Sequence, residues 1–216
     1  VEMRKHQSPG PDPFTMDEVE AILAALPDGP PRNYFEVAFF TGLRPSELIA
    51  LRWSKVDKKT GYMKVDAALT RFQEKGTKTW SARNVELSAR ALQALERQRT
   101  AMGKRAVPAG HVFTSDEGAP FTTTDEPLRN WWKPAVKASK VRTRDARQTR
   151  HTFATMCLMA GLTPGWVAMQ MGHSPEMFFR VYSRWIQGAD QGAERRKLDA
   201  FLGDKTGTEN GTGTAN

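Results

Sequence analysis

Apolar residues recur at helical spacing almost from the start of the chain. Thr15 and Glu18 form a capping box, and Val19, Ile22, Leu23 and Leu26 follow as one apolar stripe, which predicts a first helix. Pro30-Pro31 restarts the chain, and 32–41 reads as a second helix that ends near Gly42. Pro45 suits the first turn of a short third helix carrying Leu48 and Leu51. The pattern then changes to short strand-like segments at Trp53–Val56, Tyr62–Ala68 and Ala82–Leu87. Turn signals at Lys59-Thr60-Gly61 and Lys75-Gly76 separate them, so a three-stranded sheet is expected within 53–87. Helical periodicity returns at 89–102, 124–138, 145–160, 163–171 and 175–186, with Gly161 and Gly172 as stops and Thr163-Pro164 and Ser174-Pro175 as starts. A weak amphipathic helix is expected over 188–202, with Leu198, Phe201 and Leu202 on its apolar face. The predicted class is mainly α with a small three-stranded antiparallel sheet (α+β).

Residues 1–13 carry three prolines and read as an N-terminal arm or linker, and the Gly/Thr-rich 203–216 reads as a disordered tail. The 216 residues, 39% hydrophobic and 26% charged, suffice for one large domain or two small ones with a real core. The single cysteine, Cys157, excludes an intrachain disulfide, so the chain has no need of an oxidising compartment. No run of about 18 apolar residues exists to cross a membrane, and VEMRKHQSPGPDP lacks the apolar core of a signal peptide, so a cytoplasmic location is expected. The first residue is Val rather than Met, which fits a piece of a longer protein. Lys plus Arg number 32 against 24 Asp plus Glu, a formal charge of +8 that points towards nucleic acid or another polyanion. The surplus is local. Lys133, Lys137, Lys140, Arg142, Arg144, Arg147 and Arg150 face only Asp145 in that stretch. Such a run reads either as a solvated helix pair or as a phosphate-binding surface. The adjacent Trp131 and Trp132 read as core rather than as base-stacking platforms.

Four segments invite a chemical reading. In TGLRPSEL, Arg44 stands at a helix start, where a guanidinium and free N–H groups together suit an anion, and Glu47 one turn on can hold it in place. In KGTKTWSARNVEL, Gly76 suggests a hairpin with Lys78 near its tip. That lysine is either simply solvated or swings into a neighbouring site, where other cations lower its pKa and make it a proton donor. In RQTRHTFATMCLMAG, Arg147 and Arg150 lie one turn apart on one helix face, while Phe153, Met156, Cys157 and Ala160 follow at core spacing. In MGHSPEMFFRVYSRWI, His173 occupies a short link before a helix, and Phe178, Tyr182 and Trp185 share a face. By spacing alone Tyr182 is an ordinary buried aromatic.

The order Arg, Lys, Arg, His, Tyr changes that reading. Over about residues 14–186 the chain resembles the catalytic domain of the tyrosine recombinase (phage integrase) family. TGLRPSEL resembles the first arginine box and puts its arginine at Arg44. Lys78 precedes a strand ending VEL, where the family has its hairpin lysine. RQTRHTFAT resembles the H-x-x-R-H box and puts the second arginine at Arg150, MGHS supplies His173, and VYSRWI supplies the nucleophile, Tyr182. One position departs: the box usually opens with His, and here it is Arg147, which cannot act as a base near neutrality.

The resemblance implies a 14–187 catalytic domain that cleaves double-stranded DNA through a 3′-phosphotyrosyl link. Arg44, Arg150 and His173 would clamp the phosphate, and Lys78 would protonate the leaving 5′-oxygen. Arg44, Arg150 and Arg147 are expected to lower the Tyr182 pKa in place of the missing histidine. The ester conserves the backbone's bond energy, so no metal, ATP or other cofactor is implied. DNA contacts are expected from Lys133, Lys137, Lys140, Arg142, Arg144, Arg71 and Lys75. The resemblance further implies a homotetramer on synapsed recombination sites, a monomer as free fragment, a DNA-bending host factor, and the 188–202 helix exchanged in trans. Only about 14 residues precede the first helix, so the family's preceding core-binding domain is expected to be missing and binding by this chain alone to be weak. Two alternatives share some of these features: type IB topoisomerase-like relaxation, and a DNA-binding module without catalysis.

Overall fold

The computed structural model describes residues 10–70, 73–76, 82–190 and 192–206. Helix α1 (Met16–Ala25) starts at the predicted capping box: Thr15 Oγ1 accepts from the Glu18 N–H at 3.2 Å, and the Glu18 carboxylate accepts from the Thr15 N–H at 2.9 Å. Helix α2 (Pro30–Thr41) stops at Gly42, whose φ is +63°. A Cβ at Gly42 would lie 2.5 Å from the Phe153 ring, so both the left-handed backbone and the close approach require glycine. Helix α3 (Pro45–Ala50) follows directly.

Among the described residues five strands come next: β1 (Val56–Asp57), β2 (Tyr62–Val65), β3 (Ala67–Thr70), β4 (Gln73–Gly76) and β5 (Arg83–Glu86). The antiparallel sheet has the order β1-β2-β5, with Met63 opposite Val85 and both side chains fully buried. Its first strand is shorter than expected. Trp53 and Ser54 donate their N–H groups to Gly110 and Pro108 carbonyls, so Trp53–Lys55 forms a 3₁₀ turn instead of entering the ladder. A separate hairpin pairs β3 with β4, from Ala67 opposite Gly76 to Thr70 opposite Gln73. Lys75 and Gly76 are therefore strand residues and not a turn, paired with Ala68 and Ala67.

Helix α4 (Ala89–Met102) is capped by Ser88 and lies along α2. The expected helix over 124–138 is present as α5 (Asp125–Pro127), a π-helical turn at Leu128–Trp132 and α6 (Lys133–Ser139). Pro134 has no N–H with which to continue a regular α pattern through that turn. Helices α7 (Gln148–Met159), α8 (Pro164–Met171), α9 (Pro175–Asp190) and α10 (Ala193–Thr206) complete the chain. Helix α9 runs past residue 187, and the break comes only at Gly192, with φ +82°. The expected 188–202 helix is thus displaced to 193–206, and the first four residues of the expected tail are helical.

Two hydrophobic clusters organise these elements. The larger joins α1, α2, α4, α6 and the three-stranded sheet, and includes Trp131 and Trp132 as core residues. The smaller joins α7, α8 and α9 through Phe153, Leu158, Met171, Phe178 and Tyr182. Residues 11–14 are strapped across the second group: the Asp12 N–H donates to Gln148 Oε1 at 2.8 Å, the Phe14 N–H to Thr152 Oγ1 at 2.9 Å, and Arg184 to the Pro11 carbonyl at 3.0 Å. Among the described residues no helix is long and apolar enough to cross a membrane.

Candidate active site

The site is built on a carboxylate. Glu47, in the first turn of α3, accepts from the Arg44 N–H at 2.8 Å and from Arg44 Nη1 at 2.9 Å. Arg83, on β5, binds the same carboxylate through both terminal nitrogens, at 3.0 and 2.8 Å, and donates its Nε to the Gln170 carbonyl at 2.8 Å. One anion thus fixes the first-box arginine and ties it through β5 to the end of α8. Burial opposes ionisation of Glu47, but the Arg83 hydrogen bonds and charge prevail and hold its pKa at about 2. The same burial lowers the Arg44 pKa, with Glu47 acting against the shift.

Arg150 reaches this cluster from α7. It is buried, and its two terminal nitrogens donate at 2.5 Å to the carbonyls of Gly42 and Met171, the turns that end α2 and α8. Those two glycine-associated turns therefore aim the second-box arginine. Burial, then the charge of Arg44, lowers its pKa to about 9, which leaves it cationic near neutrality. Arg44, Arg150, Arg147, His151 and His173 line one open cleft of about 840 Å³, together with Pro45, Ser46, Thr124, Asp125, Leu128, Asp145 and Met177. A cleft with three arginines and a partly positive helix end suits a phosphate group.

Tyr182 stands behind that cleft. It is fully buried on α9 among Phe178, Trp185 and the His173 ring, which stacks 6.3 Å away with an interplanar angle of 20°. Its hydroxyl lies 2.7 Å from His151 Nδ1. Burial raises the Tyr182 pKa to about 12, and Arg150 only partly counteracts this. The expected lowering by three arginines is therefore corrected: in this arrangement desolvation outweighs the one arginine that acts on the phenol. His173 is neutral, pushed down to about 3 by burial and then by Arg150 and Arg44, and its buried Nδ1 has no hydrogen-bond partner among the described residues.

The structure therefore gathers Arg44, Arg150, His173 and Arg147 at one cleft, with Tyr182 one side chain behind it. Arg147 immediately precedes α7 and is largely exposed, with its Nε 3.1 Å from Asp145. Lys78 and Arg71 lie outside the described residues, and Lys75 is placed by its backbone in β4, opposite Ala68. Lys133, Lys137, Lys140 and Arg142 are exposed, and Arg142 also donates to the Asp12 carboxylate at 2.6 and 2.7 Å. Arg144 is not a free surface cation. Its side chain is 9% exposed, pairs with Glu18 at 2.8 Å and Asp12 at 3.2 Å, and covers the Phe14 ring. The run of cations hid this, because its partners lie more than a hundred residues earlier. Sequence reasoning missed His151 and Arg83 as site residues. The signal for His151 was the Arg-His pair inside RQTRHTFAT, and nothing local marked Arg83.

The Phage integrase family pattern matches residues 13–185. The chain belongs to the phage integrase family. Among its relatives, the prophage integrase IntR of Escherichia coli strain K12 is 32% identical over 199 residues, covering 82% of this chain and 48% of that protein. IntQ of the same strain, named as a defective protein, is 31% identical over 200 residues, covering 82% and 50%. This phage integrase family chain thus spans about half the length of the relatives it matches. In fold it is similar to the Tn1549 transposon integrase solved with transposon right end DNA, with a TM-score of 0.70 at 22% identity over 88% of this chain and 67% of that one. It is also similar to a lambda integrase dimer bound to a COC′ core site, with a TM-score of 0.61 at 20% identity over 87% and 64%. The fold is that of a tyrosine recombinase catalytic domain.

Proposed function

We propose that this chain is the catalytic domain of a site-specific DNA recombinase that integrates or excises a mobile element. The observation that carries the reading is the convergence of Arg44, Arg150 and His173 on one cleft, with the Tyr182 hydroxyl directly behind it. Arg44 and Arg150 clamp the non-bridging oxygens of the scissile phosphate, and His173 supplies a neutral N–H donor. Donors fixed before the reaction contribute on the order of 3 kcal/mol each to a transition state that gathers charge on those oxygens. Tyr182 attacks phosphorus, its oxygen forms the new P–O bond, and the 5′-oxygen leaves with a proton from Lys78. The 3′-phosphotyrosyl ester then undergoes the reverse attack by a 5′-hydroxyl of the partner strand. Since the ester conserves the energy of the broken bond, the cycle as written calls for neither ATP nor metal.

In this reading Lys133, Lys137, Lys140, Arg142, Arg147, Arg71 and Lys75 contact the backbone of double-stranded DNA, and Arg144 instead fastens the 11–14 strap. Such contacts are sequence-blind and salt-sensitive. Four protomers act on two synapsed sites, the free chain is a monomer, and a DNA-bending host factor assists. The exposed Leu198, Phe201 and Leu202 of α10 pack in trans on a neighbouring protomer. The site of action is the cytoplasm, at the nucleoid. The test is exchange between two copies of the element's end sequence on one plasmid, with the gene product supplied and EDTA present. Site-dependent deletion supports the reading. Relaxation without site preference supports a type IB topoisomerase, and DNA binding with neither outcome supports a non-catalytic module.

A further inference from the structure

Arg147, which opens the RQTRH segment, is an arginine and cannot accept a proton near neutrality. The structure places a different candidate against the reacting atom. His151, the residue after Arg150 on α7, lines the cleft and sets Nδ1 2.7 Å from the Tyr182 hydroxyl. It is thus at the boundary between the buried phenol and the phosphate-sized space. His173 is also near Tyr182, but its ring lies nearly parallel to the phenol at 6.3 Å, a stacking relation rather than an in-plane hydrogen bond. We propose that His151 is a catalytic residue, the base that takes the Tyr182 phenol proton as the tyrosine attacks DNA.

This assignment rests on the recombinase reading above. In the step, the Oη–H proton moves to His151 Nδ1 while Oη forms its bond to phosphorus. The P–O5′ bond breaks, and its electron pair leaves on the 5′-oxygen, which is protonated from the opposite side of the phosphate. Religation runs the transfer backwards, and the His151 imidazolium returns the proton to the departing phenolate. The tautomer required carries its proton on Nε2. Arg150 on its own helix disfavours a charged ring; the cleft that His151 lines also holds Arg44, Arg147, His173, Asp125 and Asp145, and the Tyr182 phenol meets it from α9. Burial and the Arg150 charge both lower its pKa below 6.5, so the free base predominates at neutral pH.

The test uses the full-length gene product and a nicked duplex that its wild-type form selects and cleaves from a randomised pool, followed under single-turnover conditions. A second substrate has sulfur in place of the bridging 5′-oxygen, a leaving group that needs no proton. Removing a general base costs about 100-fold or more, so His151→Asn and His151→Gln should cleave the normal duplex at least about 100-fold slower with unchanged DNA binding. Both should stay slow on the sulfur substrate, because the defect is at the nucleophile. Rates within about threefold of wild type, or recovery on the sulfur substrate, overturn the assignment. Nitrogen-15 NMR of the wild-type histidines gives a readout independent of variant folding. An unprotonated Nδ1 on His151 is expected, and a protonated one overturns it. If the wild type itself cleaves nothing in the pool, the recombinase reading fails and this assignment falls with it. Cleavage by the wild type and the His151 variants alike removes only the assignment.

Discussion

Replacing Glu47 by glutamine removes the anion shared by Arg44 and Arg83. The Glu47 side chain is 7% exposed and that of Arg83 is 12% exposed, so water cannot replace the lost charge efficiently. A carboxyl held at about 2 rather than 4.5 corresponds to about 3 kcal/mol of stability at 1.36 kcal/mol per pH unit. Breaking a buried ion pair from one side costs about 3–5 kcal/mol, which agrees. For a domain of this size the loss lowers Tm by about 6–12 °C. Because the folded pKa is depressed, the stabilisation is complete above pH 4.5 and is lost as the pH falls through about 2. Urea unfolding of wild type and Glu47→Gln at pH 7 and pH 3 reads this directly: the gap should be about 3 kcal/mol at pH 7 and about half that at pH 3. A gap below about 1 kcal/mol at pH 7, or one that does not shrink with acid, refutes the argument. Cleavage should fall as well, since Arg44 loses the carboxylate that aims it.

Gly42→Ala should destabilise by about 2–3 kcal/mol, from left-handed strain together with the clash on Phe153, and should disturb the Arg150 anchor at the Gly42 carbonyl; calorimetry and a single-turnover rate check both parts. Arg144→Met should cost at least about 1 kcal/mol and expose the 11–14 strap to limited proteolysis, while leaving the salt dependence of DNA binding nearly unchanged. Lys137→Gln, on the exposed face of α6, should flatten that salt dependence, and equal effects of the two substitutions would contradict the division between them. The Cys157 thiol, pushed up to about 12 by burial, should react with a disulfide reagent only slowly until the chain unfolds; rapid labelling of native protein counts against the packing of α7.

Local signals made much of this fold legible. The Thr15–Glu18 box, Gly42, Ser174-Pro175 and Gly172 all sit where capping chemistry puts them, because each needs only neighbours within a turn. The hairpin β3–β4 and the short first strand were misread for the opposite reason. Backbone partners at Pro108 and Gly110 took the hydrogen bonds of residues 53–54, and no window around Trp53 contains that information. The site divides in the same way. Arg44, Arg150, His173 and Tyr182 stand in ordered motifs and were readable. Arg83 acts through Glu47, 36 residues away, and Arg144 is claimed by Asp12 and Glu18 at the other end of the chain. Tyr182 is a fully buried core aromatic, as its spacing with Phe178 and Trp185 reads, and its hydroxyl still meets a histidine of the cleft.

In the proposed reaction Tyr182 is the residue that joins DNA. Nicked duplexes whose short cleaved end diffuses away block religation and accumulate any covalent complex. The gene product, incubated with such duplexes, should yield an adduct that survives SDS, and peptide mapping should place the nucleotide on Tyr182 through a 3′-phosphate. Tyr182→Phe should fold, bind the duplex and give no adduct. An adduct that persists in Tyr182→Phe, or that maps to another residue, would contradict the account.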